Sequence, residues 1–310
     1  MPLFSKTPSF NFMGPRRLAT GVSAVLIVAT FGSLAFRSLN FGVEFTGGVL
    51  LEVGYETAVD LENVRGILAE EGYANPSVQF FGAATDVLIR LPPVEDVEAG
   101  ASIGEQAFVA LQARDPTVEL RRVEFVGPQV GEDLREQGGL AMLFALIMIF
   151  AYVMLRFRWK FAAGAIAALV HDVLITLGFF SLTGLTFDLS VLAALLAVIG
   201  YSLNDTIVIF DRIRENFRLI RRGSAVEIIN TSINQTLART VITGITTLLV
   251  LVALLLLGGE TVYGFSVALI AGVLIGTYSS IYVASSAALA LDVSPTDLIP
   301  PKREEADEMP

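Results

Sequence analysis

Six long apolar stretches dominate the hydrophobic pattern of this 310-residue chain. A helix needs about 20 consecutive, mostly apolar residues to cross the hydrocarbon core of a bilayer. We predict one spanning helix in each stretch, at residues 18–36, 139–155, 161–182, 189–210, 241–257 and 264–291. With 54% hydrophobic residues and a mean hydropathy of +0.66, the composition is too apolar for a soluble domain of this length. The pattern therefore predicts a polytopic α-helical membrane protein.

The first apolar stretch allows two interpretations. Arg16 and Arg17 precede it, and Ser33-Leu34-Ala35 near its end is a small-x-small sequence, both as in a cleaved secretory signal peptide. The stretch is nevertheless long enough to cross a bilayer as a helix. We therefore favour an uncleaved first membrane helix over a signal peptide.

Lysine and arginine are distributed unevenly among the segments outside the predicted spans. Positive side chains in short segments mark the cytoplasmic side of a membrane protein. They occur in residues 1–17, 156–160, 211–238 and 294–310, whereas the loops at 183–188 and 258–261 have none. This distribution predicts that both termini are cytoplasmic and that the long segment after the first span lies on the other side. The segment 294–310 is predicted to be a cytoplasmic acidic tail, and we expect its acidic stretch at 304–308 to be disordered.

The segment 37–138 is too polar for the membrane, and we predict that it forms a soluble extracytoplasmic domain. Its hydrophobic periodicity changes repeatedly between the strand and helix patterns. Strands are predicted at 49–53, 77–81, 86–91 and 118–126, with a turn at 82–84, and helices at 60–71 and 103–114. The resulting order, βαββαβ, is that of a ferredoxin-like α+β domain.

The cytoplasmic segment 211–238, part of the five-span remainder at 139–293, has helix punctuation of its own. Gly223 interrupts a basic helix, and Ser224 with Glu227 forms a capping-box pattern that opens a new one. Apolar residues recur on one face of the new helix, at Ile228, Ile229 and Ile233. We predict an amphipathic helix that lies in the membrane interface before the chain turns into the fifth span.

The third span contains Asp172 near its middle. Gly164, Ala168 and Thr176 share its helical face, and small residues there allow another helix to approach closely. We therefore expect Asp172 to face a helix interface, either as a structural carboxylate or as part of a proton pathway. The neighbouring His171 should point about 100° away, as a packing or interfacial group.

The fourth span contains Asp205 in a polar cluster in its cytoplasmic half. Ser202 shares its helical face, and Asn204 and Thr206 flank it. An ionised carboxylate within a bilayer costs about 2.5–3.5 kcal/mol even on insertion scales, so packing alone rarely explains one. The cluster is either a hydrogen-bonded capping site or part of an ion pathway, and we favour the pathway.

The fifth span opens with a polar stripe at helical spacing. The stripe comprises Gln235, Thr236, Arg239, Thr243 and Thr246. Arg239 lies near the cytoplasmic end, as Asp205 does, and we predict that it is the counter-charge of that carboxylate. The alternative is an arginine that snorkels to anchor the helix end, although the threonines continue deeper than snorkelling requires.

The sixth span carries a ridge of small residues at four-residue spacing. The ridge comprises Gly272, Gly276, Ser280 and Ala284. Such a ridge predicts close helix packing and indicates no chemistry by itself. We expect it to contact a neighbouring helix, as we do for the small-residue face of the third span.

The chemistry available inside this bundle is that of an Asp–Arg pair with a second aspartate. A carboxylate is charged beside arginine and becomes neutral when the pair opens or when water delivers a proton. A proton that crosses the membrane supplies about 2.3 kcal/mol per 100 mV, which could move the outer domain. We expect protons as the coupling ion and no cofactor. Without cysteine and with one histidine, thiol catalysis, disulfides and a multi-histidine metal site are excluded.

Several motifs, in order along the chain, resemble those of one family. They are FGVEFTGG at 41–48, VEFVGP at 123–128, HDV at 171–173, GYSLNDTIVIFDRIREN at 200–216 and SSIYVA at 279–284. The resemblance covers roughly residues 10–291 and is to the SecD/SecF family of the resistance-nodulation-division superfamily. One departure is Glu44, where the family usually has aspartate; the charge is kept.

This resemblance implies a function in protein export. It implies a SecD partner with a matching six-helix bundle, contacts with SecYEG and YajC and indirectly with SecA, and exported unfolded preproteins as the substrate. The pair would use the proton-motive force across the bacterial inner membrane, with the large loop in the periplasm. In the family, the residues that match Asp205 and Arg239 belong to the proton pathway. The other contacts would be with membrane lipid and none with nucleic acid.

Three alternative functions are compatible with parts of the sequence. Asp172 and Asp205 could form an intramembrane aspartyl protease, but neither has the GxGD-type loop that such enzymes need, so we predict no catalytic residues and no enzyme. A small-molecule or lipid exporter of the same superfamily would have twice as many spans and two large outer domains. A purely structural scaffold of the translocon would tolerate replacement of Asp205 or Arg239 without loss of export.

Overall fold

The structure is a computed structural model that describes residues 8–73, 76–93, 97–220 and 223–294, with side chains for all of them except 97–101 and 260. The predicted acidic tail from residue 295 onwards and Arg221 and Arg222 of the basic cytoplasmic segment lie outside the described residues. In chain order, the elements are α1 (Arg16–Arg37), β1 (Asn40–Phe41), α2 (Val43–Thr46), β2 (Gly48–Gly54), α3 (Leu61–Glu70), β3 (Ser77–Phe81), β4 (Ala83–Leu91), α4 (Val97–Arg114), β5 (Glu119–Val126), α5 (Pro128–Arg156), α6 (Trp159–Thr183), β6 (Thr186–Phe187), α7 (Leu189–Leu219), α8 (Ala225–Leu257), α9 (Tyr263–Ser279) and α10 (Ser285–Ala290). A π-helical turn at Ser280–Ala284 joins α9 to α10.

Six helices in the described part of the chain are long and apolar enough to cross a membrane. They are α1, α5, α6, α7, α8 and the continuous stretch from α9 to α10, and they confirm the six predicted spans. α5 begins at Pro128 rather than at 139, because proline suits the first turn of a helix. α7 ends at Leu219 rather than at 210, because the polar sequence that follows the span contains no glycine or proline.

The predicted turn between an interfacial helix and the fifth span is wrong. α8 is one helix of 33 residues, about 50 Å long. Its sequence contains no glycine or proline before Gly244, so nothing ends the helix at the membrane surface. Its start is as predicted, because Ser224 and Glu227 form a capping box. The apolar residues that were expected in the interface are buried in the protein core instead: Ile228, Ile229 and Ile233.

A four-stranded antiparallel sheet with the order β3-β4-β2-β5 forms the outer domain. Its βαββαβ connectivity confirms the predicted α+β domain between the first two spans. Alternate residues of β2, such as Val49 and Leu51, are fully buried with residues of α3 and α4, so the residues between them lie on the opposite face. Gly82 alone makes the β3–β4 turn, with φ of 80°, so β4 begins at Ala83, inside the predicted turn 82–84.

A two-stranded parallel sheet, which the sequence analysis did not predict, joins the base of the outer domain to the membrane bundle. β1 follows α1, and β6 lies in the loop between α6 and α7; Asn40 pairs with Thr186 and Phe41 with Phe187. The rings of Phe41, Phe45 and Phe187 pack with centroids 5.9 Å apart. Strands of two residues are too short to produce a hydrophobic periodicity, which is why the pattern did not indicate them.

The membrane bundle has a buried centre and an exposed edge. In the most apolar 18-residue segment of each helix, 56% of the residues are buried in α6 and 50% in α7. The corresponding shares are 11% in α5 and 17% in α8. The exposed positions of α5 and α8 include Phe144, Met148, Leu249 and Leu256. These apolar faces are suited to contact lipid or another membrane subunit.

Candidate functional site

Asp172 lies where α6, α7 and α9 meet, with 1% of its surface exposed. Ser202 of α7 and Ser279 of α9 donate hydrogen bonds to its Oδ2 at 2.5 and 2.7 Å. Its Oδ1 lies 3.0 Å from Nδ1 of His171. Both carboxylate oxygens therefore have partners, as a buried polar group requires, and the residue ties three helices together.

His171 contacts Asp172 rather than pointing away from it, so the predicted direction is wrong, whereas its predicted role as a helix-packing group is confirmed. Its Nε2 lies 3.1 Å from Oγ of Ser23 on α1, and its ring stacks on Tyr278 with centroids 6.0 Å apart. The 100° separation applies to the directions of neighbouring Cβ atoms on a helix. The imidazole is long enough to reach back to its neighbour, and the contacts with Ser23 and Tyr278 fix it there.

Asp205 is buried on α7, with 2% of its surface exposed. Its Oδ2 has no hydrogen-bond partner among the described residues. Arg239, which is exposed on α8, is close enough to act on the carboxylate electrostatically. Within the described part of the chain, however, the two form no salt bridge, so the structure does not contain the direct pair that the sequence predicted. A buried carboxylate oxygen without a partner is uncommon and calls for a specific explanation.

The polar residues predicted to support Asp205 divide among different partners. Ser202 bonds to Asp172 instead, because α7 presents this residue to α6 and α9. Thr206 shares a hydrogen bond of 2.9 Å with Ser280, which follows α9. Asn204 is exposed on α7. Ser202 and Thr206 are thus buried with other partners, and Asn204 lies on the surface. None of the three is a hydrogen-bond partner of the Asp205 Oδ2 atom.

The threonines predicted to extend the polar stripe of α8 donate to their own helix. Thr243 donates to the carbonyl of Arg239 at 2.9 Å, and Thr246 donates to the carbonyl of Ile242 at 2.9 Å. Such local bonds are a common alternative for threonine in a helix. Thr246 is also exposed, so the polar stripe, which was predicted to continue deeper along the helix, is not buried at this residue.

Small residues allow the central helices to approach one another closely. A Cβ added at Gly272 would lie 2.7 Å from Cγ1 of Val198 on α7, and one at Gly276 would lie 3.0 Å from Cβ of Ser202. A Cβ at Gly164 of α6 would lie 2.8 Å from a backbone carbonyl oxygen of the π turn. Ala168 on the same helix is fully buried. The close approach holds Ser202 next to Asp172.

A cleft of about 670 Å³ separates the open face of the outer sheet from the outer ends of the membrane helices. Its charged lining residues are Glu44, Glu52, Arg90, Arg122, Glu124 and Asp188. Arg90 of β4 is 9% exposed and reaches the β1–β6 sheet, where it donates to Asn40 Oδ1 at 3.1 Å and to Thr186 Oγ1. The side chain therefore fastens the outer domain to the bundle.

The charges around this cleft shift the pKa of two side chains. Burial raises the pKa of the Glu44 carboxyl, and Asp188 and Glu124 act in the same direction, against a backbone hydrogen bond and Arg90. Burial lowers the pKa of the Arg90 guanidinium, which the nearby Glu44 and Asp188 carboxylates oppose. Protonation of Glu44 would therefore change the attraction between the outer domain and the bundle.

Sequence reasoning missed Thr240 and Arg90. The hydroxyl of Thr240 is buried without a hydrogen-bond partner among the described residues, which becomes visible only once the helices are packed. For Arg90 a signal existed, because an arginine between apolar residues of a strand is unusual. Among the described residues, no group of three or more histidine, aspartate or glutamate side chains could hold a metal ion.

These features define the class of protein. It is a multi-pass α-helical membrane protein with two carboxylates buried in its bundle and an α+β domain between its first two spans.

Comparison with known families identifies the chain more closely. Residues 107–294 match the family described as protein export membrane protein SecD/SecF, C-terminal, and residues 32–59 match the SecD/SecF GG motif. The protein translocase subunit SecF of Pseudomonas aeruginosa is 52% identical over 308 residues, or 98% of this chain and 99% of the relative. That of Escherichia coli O157:H7 is 44% identical over 296 residues, or 95% of this chain and 92% of the relative. The chain belongs to the SecF family.

Two solved structures also resemble the chain. The crystal structure of SecDF, a translocon-associated membrane protein from Thermus thermophilus, superposes with a TM-score of 0.85 at 39% identity over 94% of this chain. The chain spans 40% of the length of that protein. SecDF in a super-membrane-facing form has the same identity and coverage but a TM-score of 0.70. The matched part is therefore arranged differently in the second form.

Proposed function

We propose that this chain is the SecF-type subunit of a bacterial protein-export assembly and acts together with a SecD-type partner. Its family membership supports a role in protein translocation, since its relatives are protein translocase subunits. The SecDF chain, of which this chain matches 40%, supports the pairing. The exposed apolar faces of α5 and α8 are suited to a second bundle. SecYEG, YajC, SecA and the exported preprotein are the further partners we propose.

The proposed location is the bacterial inner membrane, with both termini in the cytoplasm and the outer domain in the periplasm. Positive side chains cluster at the end of the bundle opposite the outer domain. They include Arg156, Arg212, Arg214 and Arg218. The loop between α6 and α7, next to the outer domain, contains no lysine or arginine. This asymmetry supports the proposed orientation.

The proposed activity is the coupling of proton movement to preprotein export, with Asp205 as the proton-carrying group. The observation that carries this proposal is the buried Oδ2 of Asp205, which lacks a hydrogen-bond partner among the described residues while Arg239 acts on it electrostatically. A carboxylate in this position can alternate between a charged form attracted by arginine and a neutral, protonated form. The two SecDF forms support the existence of a second arrangement that such a change could favour.

Asp172 is proposed as a second group of the proton pathway, with a different task. Protonation would turn one of its acceptor oxygens into a donor, so it would rearrange the contacts with Ser202, Ser279 or His171. Protonation of Asp172 would therefore alter the junction of α6, α7 and α9. We assign no bond-making chemistry to either aspartate, and the proposed role is transport rather than enzymatic.

The decisive test is Asp205→Asn, which removes the titratable group and keeps its size. We expect it to abolish the proton-dependent part of preprotein export while the protein still inserts and assembles. The matched control is Asp211→Asn on the same helix, whose carboxylate pairs with Arg156 at 2.8 Å at the exposed end. Export into membrane vesicles, measured with the proton gradient intact and collapsed, gives the readout. Arg239→Met should behave like Asp205→Asn.

A structural role in the translocon is the second candidate, and the fully bonded Asp172 site favours it. Such a role predicts that Asp205→Asn exports at the full rate and responds to collapse of the gradient as the unmodified protein does. That result would reject the proton role. It would leave membership of the export assembly in place.

A further inference from the structure

His171 is a buried titratable side chain that has no task of its own in the proposed proton pathway. It lies on α6 with 3% of its surface exposed, and both of its ring nitrogens have a partner at hydrogen-bond distance. Nδ1 lies 3.0 Å from Oδ1 of Asp172, and Nε2 lies 3.1 Å from Oγ of Ser23 on α1. Which nitrogen carries a hydrogen follows from the hydrogen bonds that these two partners make in turn.

The hydroxyls of Ser23 and Tyr278 form a network that ends at a backbone carbonyl. Oγ of Ser23 lies 3.1 Å from the hydroxyl of Tyr278 on α9, and that hydroxyl donates to the carbonyl oxygen of Ala19 at 2.7 Å. A carbonyl oxygen can only accept, so this contact uses the single hydrogen of the Tyr278 hydroxyl. The direction of the other hydrogen bonds in the hydroxyl network is set from this end.

The hydroxyl network requires a hydrogen on Nε2 of His171. Because the hydrogen of the Tyr278 hydroxyl points to Ala19, the Tyr278 oxygen can only accept from Ser23. The Ser23 hydroxyl also has a single hydrogen, which it donates to Tyr278. The Ser23 oxygen therefore accepts from His171, and the separation of 3.1 Å is within the ordinary range for an N–H···O hydrogen bond.

The surroundings of Asp172 require a hydrogen on Nδ1 as well. Ser202 and Ser279 donate to Oδ2 of this carboxyl at 2.5 and 2.7 Å, which is the usual length of a hydrogen bond from a hydroxyl to an ionised carboxylate. An ionised carboxylate can only accept, so its Oδ1 accepts from Nδ1 of His171. A histidine that donates from both ring nitrogens is a positively charged imidazolium.

The charge balance of the site favours the same protonation state. An ionised carboxylate inside a membrane is costly unless a positive charge compensates it. The imidazole of His171 lies within ion-pair distance of Asp172, and an imidazolium there makes the pair neutral overall. The other titratable side chain in contact with the imidazole is Tyr278, whose ring stacks on it and which adds no charge in its neutral form.

We propose that His171 and Asp172 form a proton-binding site in the centre of the bundle, in which the imidazole carries a hydrogen on both ring nitrogens. Ser23 and Tyr278 are positioning residues, because together they hold an acceptor oxygen against Nε2. When Nε2 releases its proton to a water molecule, the Ser23 hydroxyl turns to donate to this nitrogen. Its hydrogen bond to Tyr278 is then lost, so proton release weakens a contact between α1 and α9.

The use of this site in transport rests on the proposed proton function, whereas the presence of the proton on His171 does not. In transport, the imidazolium would hold a proton beside Asp172 while both carboxylate oxygens stay acceptors. Binding and release of that proton would then change how α1 packs against α9. The site thus gives the bundle a second proton-dependent contact, on a different pair of helices from Asp205 and Arg239.

Nitrogen NMR tests the protonation state directly, because the protein contains one histidine. Labelling histidine with nitrogen-15 in the full chain, prepared without a histidine tag, gives ring signals from His171 alone. Solid-state spectra in lipid bilayers separate protonated from unprotonated ring nitrogens by their chemical shifts. At about pH 7.5 an ordinary histidine is mostly neutral. We expect both ring nitrogens of the unmodified protein to be protonated at this pH.

Variants of the hydroxyl network test what holds the proton. Tyr278→Phe removes the acceptor of the Ser23 hydrogen, so Ser23 should donate to Nε2 and this nitrogen should give the unprotonated signal. Ser23→Ala removes the acceptor of the Nε2 hydrogen, and the same change is expected. Tyr282→Phe is the matched control: it removes the same group from a ring whose centroid lies 5.3 Å from that of Tyr278, and it should keep both nitrogens protonated.

Two results would overturn the proposed site. One is an unprotonated ring nitrogen in the unmodified protein, and the other is a protonated Nε2 in both Tyr278→Phe and Ser23→Ala. The two positioning variants lie on different helices, so misfolding of one leaves the other as a test. Full proton-dependent export by Asp205→Asn would reject the proposed function and would leave the proton on His171 in place.

Discussion

The contact between Gly272 and Val198 gives a prediction whose magnitude follows from the geometry. A Cβ added at Gly272 would lie 2.7 Å from Cγ1 and 3.0 Å from Cβ of Val198, and closer still to Cγ2. Carbon atoms in contact prefer separations of about 3.5–4.0 Å. Gly272→Ala must therefore push α9 away from α7 by about 1 Å or force Val198 off its rotamer. Overpacking of this kind costs about 1–3 kcal/mol.

A control is needed because alanine itself favours the helix over glycine by about 1 kcal/mol. Gly200 of α7 is suitable, since nothing lies within 4 Å of a Cβ added there. Gly200→Ala should therefore raise the free energy of unfolding by up to about 1 kcal/mol. Measured against this control, Gly272→Ala should be less stable by about 1–3 kcal/mol. Denaturant unfolding of the purified full chain in detergent provides the measurement.

Removal of the obstructing methyl groups provides the second half of the test. Val198→Ala deletes Cγ1 and Cγ2, so it should restore most of the stability lost in Gly272→Ala. The double-mutant cycle should give a coupling free energy of about 0.5–3 kcal/mol, as for other residues in direct contact. Equal stability of Gly272→Ala and Gly200→Ala, or a coupling of zero, would refute the close approach of α7 and α9.

Two further predictions concern the charged groups. Asp172→Ala leaves buried hydrogen-bonding groups on three helices without this partner, so we expect a loss of about 1–3 kcal/mol of unfolding free energy for each unpaired group. The same unfolding assay provides the measurement, with Asp211→Ala at the exposed end of α7 as the control. A loss no larger than that of the control would contradict the role of Asp172 in joining the three helices. Because burial first, then Asp188 and Glu124, raise the pKa of Glu44, the folded chain binds this proton more tightly than the unfolded chain. The contribution of Glu44 to stability should be fully present below the ordinary pKa of a carboxyl group. It should decline as the pH rises through the raised pKa of Glu44 in the folded chain. Glu44→Gln should remove this part of the decline, measured as unfolding midpoints across a pH series, whereas the control Glu52→Gln should keep it. If the decline is unchanged in Glu44→Gln, another group causes it.

The membrane spans could be predicted from the sequence because their signal is local. An apolar stretch long enough to cross a bilayer is complete in itself, and the short apolar runs of β2 and β4 are equally local. Element ends were less predictable: α8 continues past the membrane surface because polar residues such as Asn230 and Gln235 find protein partners there and no breaker ends the helix.

The partners of the buried polar residues could not be predicted, because they depend on how each helix is rotated in the bundle. Ser202 and Asp205 are three residues apart and were assigned to one cluster, yet Ser202 bonds to Asp172 and Asp205 does not. Two residues three apart on a helix differ by about 60° in direction, which is enough to place them against different neighbours. Asp172 and Asp205 could be selected from the sequence alone, because a carboxylate inside a membrane is energetically costly. Their hydrogen-bond partners could be identified only from the packing of the helices.

The β1–β6 sheet has a mechanical consequence. Only Asp188 separates β6 from α7, and it caps that helix by accepting a hydrogen bond from the backbone N–H of Val191 at 2.9 Å. On the other side of the sheet, β1 leads through Gly42 directly into α2 and β2 of the outer domain. With so little chain between them, an axial displacement of α7 is transmitted to the outer domain without slack, and Arg90 adds a second attachment. The outer domain is thus coupled rigidly to the helix that contains Asp205 and is not attached through a flexible linker.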